Sequence, residues 1–210
     1  MQPMQGEARS HMDKDTIRDL EQIKAAVSRI EARIGAEELT TWEMPVGTSE
    51  YPPAMWYCAQ YHTYPSGANR HTGIDLNLDL APWGDVDRHQ PIYAIADGVV
   101  HEIGYSAGWL GVVVIRHEHE GQPLWARYAH LEKSVAVEVG EHVLPGRYIG
   151  RIGNYVSGRG GDHLHFDMAL DPFGWAYYRT SWVRWIDPVP VLKAHLPEDE
   201  VDAMLRKGDQ

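Results

Sequence analysis

The sequence predicts a mainly β protein, an antiparallel β-sandwich or barrel, preceded by an amphipathic helix. Three observations carry this. The stretch Gly160-Gly-Asp-His-Leu-His-Phe-Asp-Met168 alternates, with His163, His165 and Asp167 on one side and Leu164, Phe166 and Met168 on the other. That is the two-residue period of a strand with one face on a core. Short β-branched runs recur upstream, at Pro91-Ile-Tyr-Ala-Ile-Ala96, Gly98-Val-Val-His-Glu-Ile103, Gly111-Val-Val-Val-Ile-Arg116 and Ala126-Arg-Tyr-Ala-His-Leu131. Asp97-Gly98, Glu120-Gly121 and Pro145-Gly146 punctuate them as turns. Roughly six to eight short strands at this spacing suit a sandwich or barrel.

The whole chain sets outer bounds. Its 210 residues make one domain with an appendage, and 43% hydrophobic content is enough for a packed core. No apolar run approaches the length of a membrane span, and Met1 to Asp13 carries no apolar leader segment, so neither a span nor a signal peptide is expected. Cys58 is the only cysteine, so no internal disulfide forms. A net charge of −11 argues against nucleic-acid binding, which needs a basic face. Eight Trp and eleven Tyr against two Phe favour amphipathic aromatic surfaces, as in grooves that hold polar ligands.

Taken in order, Asp13 to Glu38 reads as a helix, with Leu20, Ile23, Val27, Ile30 and Ile34 at spacings of three and four. The stripe is too short to be stable alone in water, so something must cover it. Its own domain and a second helix (self-association or a partner) are both open. The expected domains are a tail and helix over 1–39, an aromatic-rich linker over 40–68, the main domain over 69–190 and a tail over 191–210. In the tail Asp187-Pro188-Val189-Pro190 reads as a break, and Glu198 to Lys207 as a short charged helix.

Candidate chemistry gathers in four places. His163 and His165 share a strand face, where two imidazoles can share a metal or divide the work of ligand and base. His71 precedes Asp75 by four residues, His130 ends an apolar strand, and a glycine-spaced run extends from Val137 to Asn154. Each alone reads as ordinary structure: a surface pair, a satisfied histidine, a scaffold. Together His71, Asp75 and His165 make a two-histidine, one-carboxylate set suited to Zn²⁺ with an open fourth position. His163 and His130 are then left to move protons. His117-Glu118-His119 has the same His-x-His form but is flanked by acids and Gly121. It reads as a wet strand end or hairpin tip, with little prospect of holding the metal.

These pieces resemble the lysostaphin/LytM-type zinc metallopeptidases, which cut the peptide part of bacterial peptidoglycan. The matching motifs are His71-Thr-Gly-Ile-Asp75, Ala94-Ile-Ala-Asp97-Gly-Val-Val100, Tyr128-Ala-His-Leu131 and His163-Leu-His-Phe-Asp167, in the family's order from about Gly67 to Pro190. The resemblance implies an antiparallel fold with an open groove and one Zn²⁺ ion on His71, Asp75 and His165. It implies His130 and His163 as catalytic histidines, and a peptidoglycan peptide as substrate. Asn69, Trp83, Tyr128 and Asn154 are candidate groove residues.

Departures from the family limit what is carried over. Asn77 to Gln90 inserts Trp83, Asp85 and Asp87 near a metal ligand, as a loop expected to narrow the groove or touch substrate. Asp167 stands where the family usually has Glu, one methylene longer. No cell-wall-binding domain is recognisable, and the missing leader fits a phage lysin or virion-associated enzyme. Two other readings compete. One is a catalytically silent module that binds or assembles through its N-terminal helix. The other is a lipoyl- or biotinyl-type carrier, suggested by the glycine-spaced run. Lys133 and Lys193 are not placed as a carrier lysine must be, so the carrier is set aside.

Overall fold

Ten strands, all paired antiparallel, form two sheets in a computed structural model that describes residues 42–47, 53–55, 71–78, 87–154, 161–178 and 182–205. These residues all fall in one unit, 39–210. The expected N-terminal helix lies outside them, as do Asn69 and Trp83. The strands are β1 (Pro53–Met55), β2 (Gly73–Leu78), β3 (Pro91–Tyr93), β4 (Gly98–Ser106), β5 (Leu110–His119) and β6 (Gln122–Leu131). They continue with β7 (His142–Val143), β8 (Tyr148–Arg151), β9 (Leu164–Ala169) and β10 (Trp185–Ile186). Helices α1 (Pro188–His195) and α2 (Glu198–Leu205) follow.

The large sheet runs β1-β2-β9-β6-β5-β4-β7, with β10 also paired to β9, and β3 pairs β8 in a small second sheet. The strands beyond the expected six to eight are two or three residues long, too short to show a period in sequence. Long strands do show one. On β9, Leu164, Phe166 and Met168 are fully buried in the main core. Ile74 and Leu76 of β2 and Ala126 and Tyr128 of β6 join them in the same cluster. Ile92 of β3, Ile149 of β8, Leu192 and Leu196 of α1's end and Val201 of α2 also belong to this cluster, so the small sheet and the helices cover this face. The opposite face carries a smaller cluster around Val112, Val114, Trp125, Ala129, Phe173 and Trp185. That second face holds the candidate site.

The tail departs from expectation. Asp187-Pro188 starts a helix rather than breaking one. Asp187 Oδ1 accepts from the Val189 N–H at 3.0 Å, and proline's fixed φ suits the first helical turn. The charged helix begins at Glu198 as expected.

Candidate metal centre

The register of three neighbouring strands assembles the site. Asp75 on β2 lies opposite His165 on β9, and His165 lies opposite Ala129 on β6. The side chains opposite one another in an antiparallel pair are within contact range, so a carboxylate and an imidazole meet here over a small residue. Gly73 lets β2 close on β9. A Cβ at Gly73 would stand 2.1 Å from the Phe166 carbonyl oxygen and 2.4 Å from the Asp167 Cβ.

His71, just ahead of β2, completes a tight triangle. Its Nε2 lies 3.2 Å from Asp75 Oδ1 and 3.0 Å from His165 Nδ1, and His165 Nδ1 lies 2.9 Å from the same Asp75 oxygen. All three residues are buried. Among the described residues this is the one cluster of His, Cys, Asp or Glu donors with the spacing of a metal site. Ligands of a tetrahedral zinc with bonds of about 2.0–2.1 Å stand about 3.3 Å apart, close to these separations. The tautomer of His165 agrees. Its Nε2–H donates to Asp167 Oδ2 at 3.0 Å, which leaves a lone pair on Nδ1 facing the carboxylate oxygen of Asp75. Two electron-rich atoms held that close need a proton or a cation between them. The donor set therefore fits a divalent metal.

Charges around the triangle are held by its neighbours. Burial pushes the Asp75 carboxyl up, but the neighbouring His163 and the close contacts with His165 and His71 outweigh it and hold Asp75 well below its usual value. Burial opposes the charged form of His165, while its bonds to Asp167 and Asp75 raise its pKa above the usual value. Burial likewise pushes Asp167 up, yet the Arg127 charge and the His165 bond bring it down to about 2. Asp167 is thus the orienting carboxylate behind a candidate ligand, the arrangement common behind metal-bound histidines.

Two more histidines reach the same side. His163 donates from Nδ1 to the Gly161 carbonyl at 3.0 Å, which turns Nε2 towards Asp75 Oδ2, 3.5 Å away. His130 points its Nδ1 at the Trp109 carbonyl, 3.2 Å away, and its ring lies 4.8 Å from that of His163 and 5.8 Å from that of His165. His130 reaches this face through a bulge. The β5–β6 register shifts between Gly111 and Val112, and His130 takes φ +66°, a turn that re-aims its side chain. Gly111 permits the crossing, since a Cβ there would stand 2.1 Å from the Glu132 carbonyl oxygen. Burial first, then the neighbouring His163 and His165, hold the His130 pKa well below the usual imidazole value.

Other candidates fall elsewhere. Tyr128 does not line a groove: it is fully buried in the main core, and its hydroxyl accepts from the Ile95 N–H at 3.0 Å. Strand alternation sends it to the face opposite Arg127 and Ala129, a reason visible in the sequence. Asn154 is exposed beyond β8. Asp87 does not face substrate either: it is fully buried, and its Oδ1 accepts from the Leu78 N–H at 2.6 Å, tying the inserted loop back onto β2. His117-Glu118-His119 does end β5 at the hairpin turn into β6, but His117 is not wet, being 1% exposed.

Three contributors carried no expectation. Trp109, in the β4–β5 turn, stacks on His130 with ring centres 5.9 Å apart and meets His165 edge-on at 5.5 Å. Tyr178 meets Trp109 edge-on at 5.3 Å. Arg127 pairs with Asp167 at the centre of the second face. Its signal was available: a charged residue within the otherwise apolar run Leu124 to Leu131 needs a buried partner.

Comparison with known proteins agrees with this geometry. The profile of Peptidase family M23 matches residues 69–172, the segment that holds every donor and histidine above. An uncharacterized metalloprotease of Haemophilus influenzae is 34% identical over 102 residues, 48% of this chain and 19% of that protein. A peptidoglycan DD-endopeptidase of Vibrio cholerae, ShyC, is also 34% identical over 102 residues, 48% of this chain and 20% of its own. The chain thus spans about a fifth of the length of the curated relatives it matches. In structure it is similar to lytM from Ruminococcus gnavus, with TM-score 0.54 and 18% identity over 92% of this chain and 74% of that one, a likeness of fold. The fold and the matched family define a peptidase-type domain of mainly antiparallel β architecture. Residues 69–172 belong to the M23, LytM-type family.

Proposed function

We propose that the protein is a zinc-dependent endopeptidase that hydrolyses peptide bonds in the stem or cross-bridge peptides of bacterial peptidoglycan. The observation that carries this reading is the convergence of His71 Nε2, Asp75 Oδ1 and His165 Nδ1 within 3.2 Å of one another, with His130 and His163 on the same side. The matched relative named as a peptidoglycan DD-endopeptidase supports the substrate class.

His71, Asp75 and His165 would hold the ion. Bound there, zinc supplies a Lewis acid that acidifies water towards a pKa of about 7 and polarises a carbonyl. The remaining work falls to the chain. Asp167 keeps the proton of His165 on Nε2, so that Nδ1 stays a donor atom. The Gly161 and Trp109 carbonyls hold the protons of His163 and His130 on Nδ1, so both present a basic Nε2 to the site. One of the two accepts a proton from the attacking water; the other, once protonated, stabilises the developing oxyanion or protonates the leaving amine. Trp109 stacks on His130 and keeps its ring from turning.

The test is mass spectrometry of purified peptidoglycan incubated with the protein, with and without a chelator. New peptide termini that vanish with chelator and return with zinc are expected, and they name the bond. Intact peptidoglycan from several wall chemistries, with zinc bound, would instead favour a catalytically silent binding module.

A further inference from the structure

We propose that Arg127 is a positioning residue that ties the orientation of His165 to the placement of the segment Gly174 to Tyr178, so that the donor set and the wall beside it are registered together. This rests on the reading of His71, Asp75 and His165 as metal ligands.

The guanidinium of Arg127 is completely buried and uses all five of its N–H donors. Nε donates to Asp167 Oδ1 at 3.1 Å, and Nη2 donates to Asp167 Oδ2 and to Thr72 Oγ1, the latter at 3.3 Å. Thr72 in turn donates to Asp167 Oδ2 at 2.7 Å. This side of the fork fixes the carboxylate that orients His165. The other side faces away from it. Nη1 donates to the backbone carbonyls of Trp175, at 3.2 Å, and Tyr177, at 2.6 Å. The next residue, Tyr178, stands edge-on to Trp109 and has its ring centre 6.4 Å from that of His165. Trp109 closes the circuit, with the guanidinium carbon 4.2 Å from its ring centre and His130 stacked on it.

Stability alone does not call for this residue. Its surroundings are apolar and aromatic, including Val112, Val114, Ala129, Phe173 and Trp185. In such settings, replacing both members of a buried ion pair by apolar side chains of similar volume is often neutral or stabilising, whereas removing Arg127 alone leaves Asp167 buried without its charge partner. What an apolar residue cannot do is hold a carboxylate and two loop carbonyls at fixed mutual angles. A rigid planar fork does this, and a lysine, with one ammonium, does only half of it.

The experiment compares the wild type with Arg127→Met, Arg127→Lys and Thr72→Val, reading zinc affinity by chelator competition, KM and kcat on a soluble peptidoglycan peptide, and folding by circular dichroism. Arg127→Met leaves Asp167 buried without its charge partner, so it should melt below wild type and, in its folded form, bind zinc roughly 10- to 100-fold more weakly, the usual effect of losing support behind a ligand. Arg127→Lys keeps a charge for Asp167 but releases the carbonyls, so its zinc affinity should stay nearer to wild type while KM rises. Should Arg127→Met fail to fold, Thr72→Val carries the test, with several-fold weaker zinc binding expected. Folded variants with wild-type zinc affinity and KM would overturn the inference and leave the proposed function standing. A wild type that binds no zinc overturns the proposed function first, and the inference with it.

Discussion

Two strands of this protein carry the same His-x-His pattern, and only one of them builds a donor set. His163 and His165 stand at the start of β9, while His117 and His119 end β5. On β9 the histidines face the strand neighbours β2 and β6, which bring Asp75 opposite His165 and leave room over Ala129. On β5 they face the other way. His117 lies in the main core, with Nδ1 2.8 Å from the Asp97 carbonyl and Nε2 3.5 Å from the Tyr128 hydroxyl. His119 sits against the end of α1, its Nδ1 3.1 Å from His195 Nε2, beside Trp42, which stacks on His195. The pattern sets only a shared face; the neighbours across the register decide whether that face can hold a metal.

That contrast can be broken in four ways, taken from the largest effect down. Replacing His165 or His71 by Ala should remove one donor of the triangle and lower zinc affinity by more than about 10³-fold, beyond the loss typical of an outer-shell partner. Activity should go with it, and His117→Gln should leave zinc bound. Equilibrium dialysis with zinc checks all three. Next, His163→Ala and His130→Ala should keep the metal while kcat falls by roughly 10²- to 10⁴-fold, as for loss of a general base or acid. A fully active His163→Ala protein would remove that residue from the chemistry.

The third effect is on stability. Burial first, against hydrogen bonds to the Asp97 and Ala96 backbone, lowers the His117 pKa from 6.5 to about 4. Between these values the unfolded chain binds a proton that the native state refuses, so stability rises with pH across this window. His117 therefore costs nothing above about pH 6.5 and on the order of 3 kcal/mol at pH 4. Asp87 titrates in the opposite sense: burial raises it to about 7, so its contribution falls as pH rises from 4 to 7. Both chains share Asp87, so urea melts of wild type and His117→Gln, compared at each pH, isolate His117. The two should converge as pH falls towards 4; parallel curves would contradict the assignment. Smallest is Tyr128→Phe, which strands the Ile95 N–H and should cost about 1–2 kcal/mol with kcat/KM unchanged. A rise in KM would return Tyr128 to the groove.

Much of this was legible in the residues, and for identifiable reasons. The alternation of Leu164, Phe166 and Met168 against His163, His165 and Asp167 gave β9 and both its faces, because a strand with one buried face must alternate. His71, Asp75 and His165 were legible as a donor set by residue type and order. What escaped depends on pairing between distant strands or on local backbone. That Arg127 meets Asp167 follows from the β6–β9 register, which no local pattern reveals. That His130 turns to the site follows from a bulge, so plain alternation misplaces it. Trp109 is one aromatic among several until the β4–β5 turn folds it over His130. Tyr128 was misread because its neighbour His130 reaches the site, although alternation already sent the tyrosine inward.

The most direct test of the central claim is native mass spectrometry of the metal-free protein titrated with zinc, run side by side on wild type, His165→Ala and His117→Gln. One ion per chain is expected for wild type and for His117→Gln, and none for His165→Ala at the same zinc concentration. Zinc retained by His165→Ala, or lost from His117→Gln, would place the metal on the wrong pair of histidines and contradict the account.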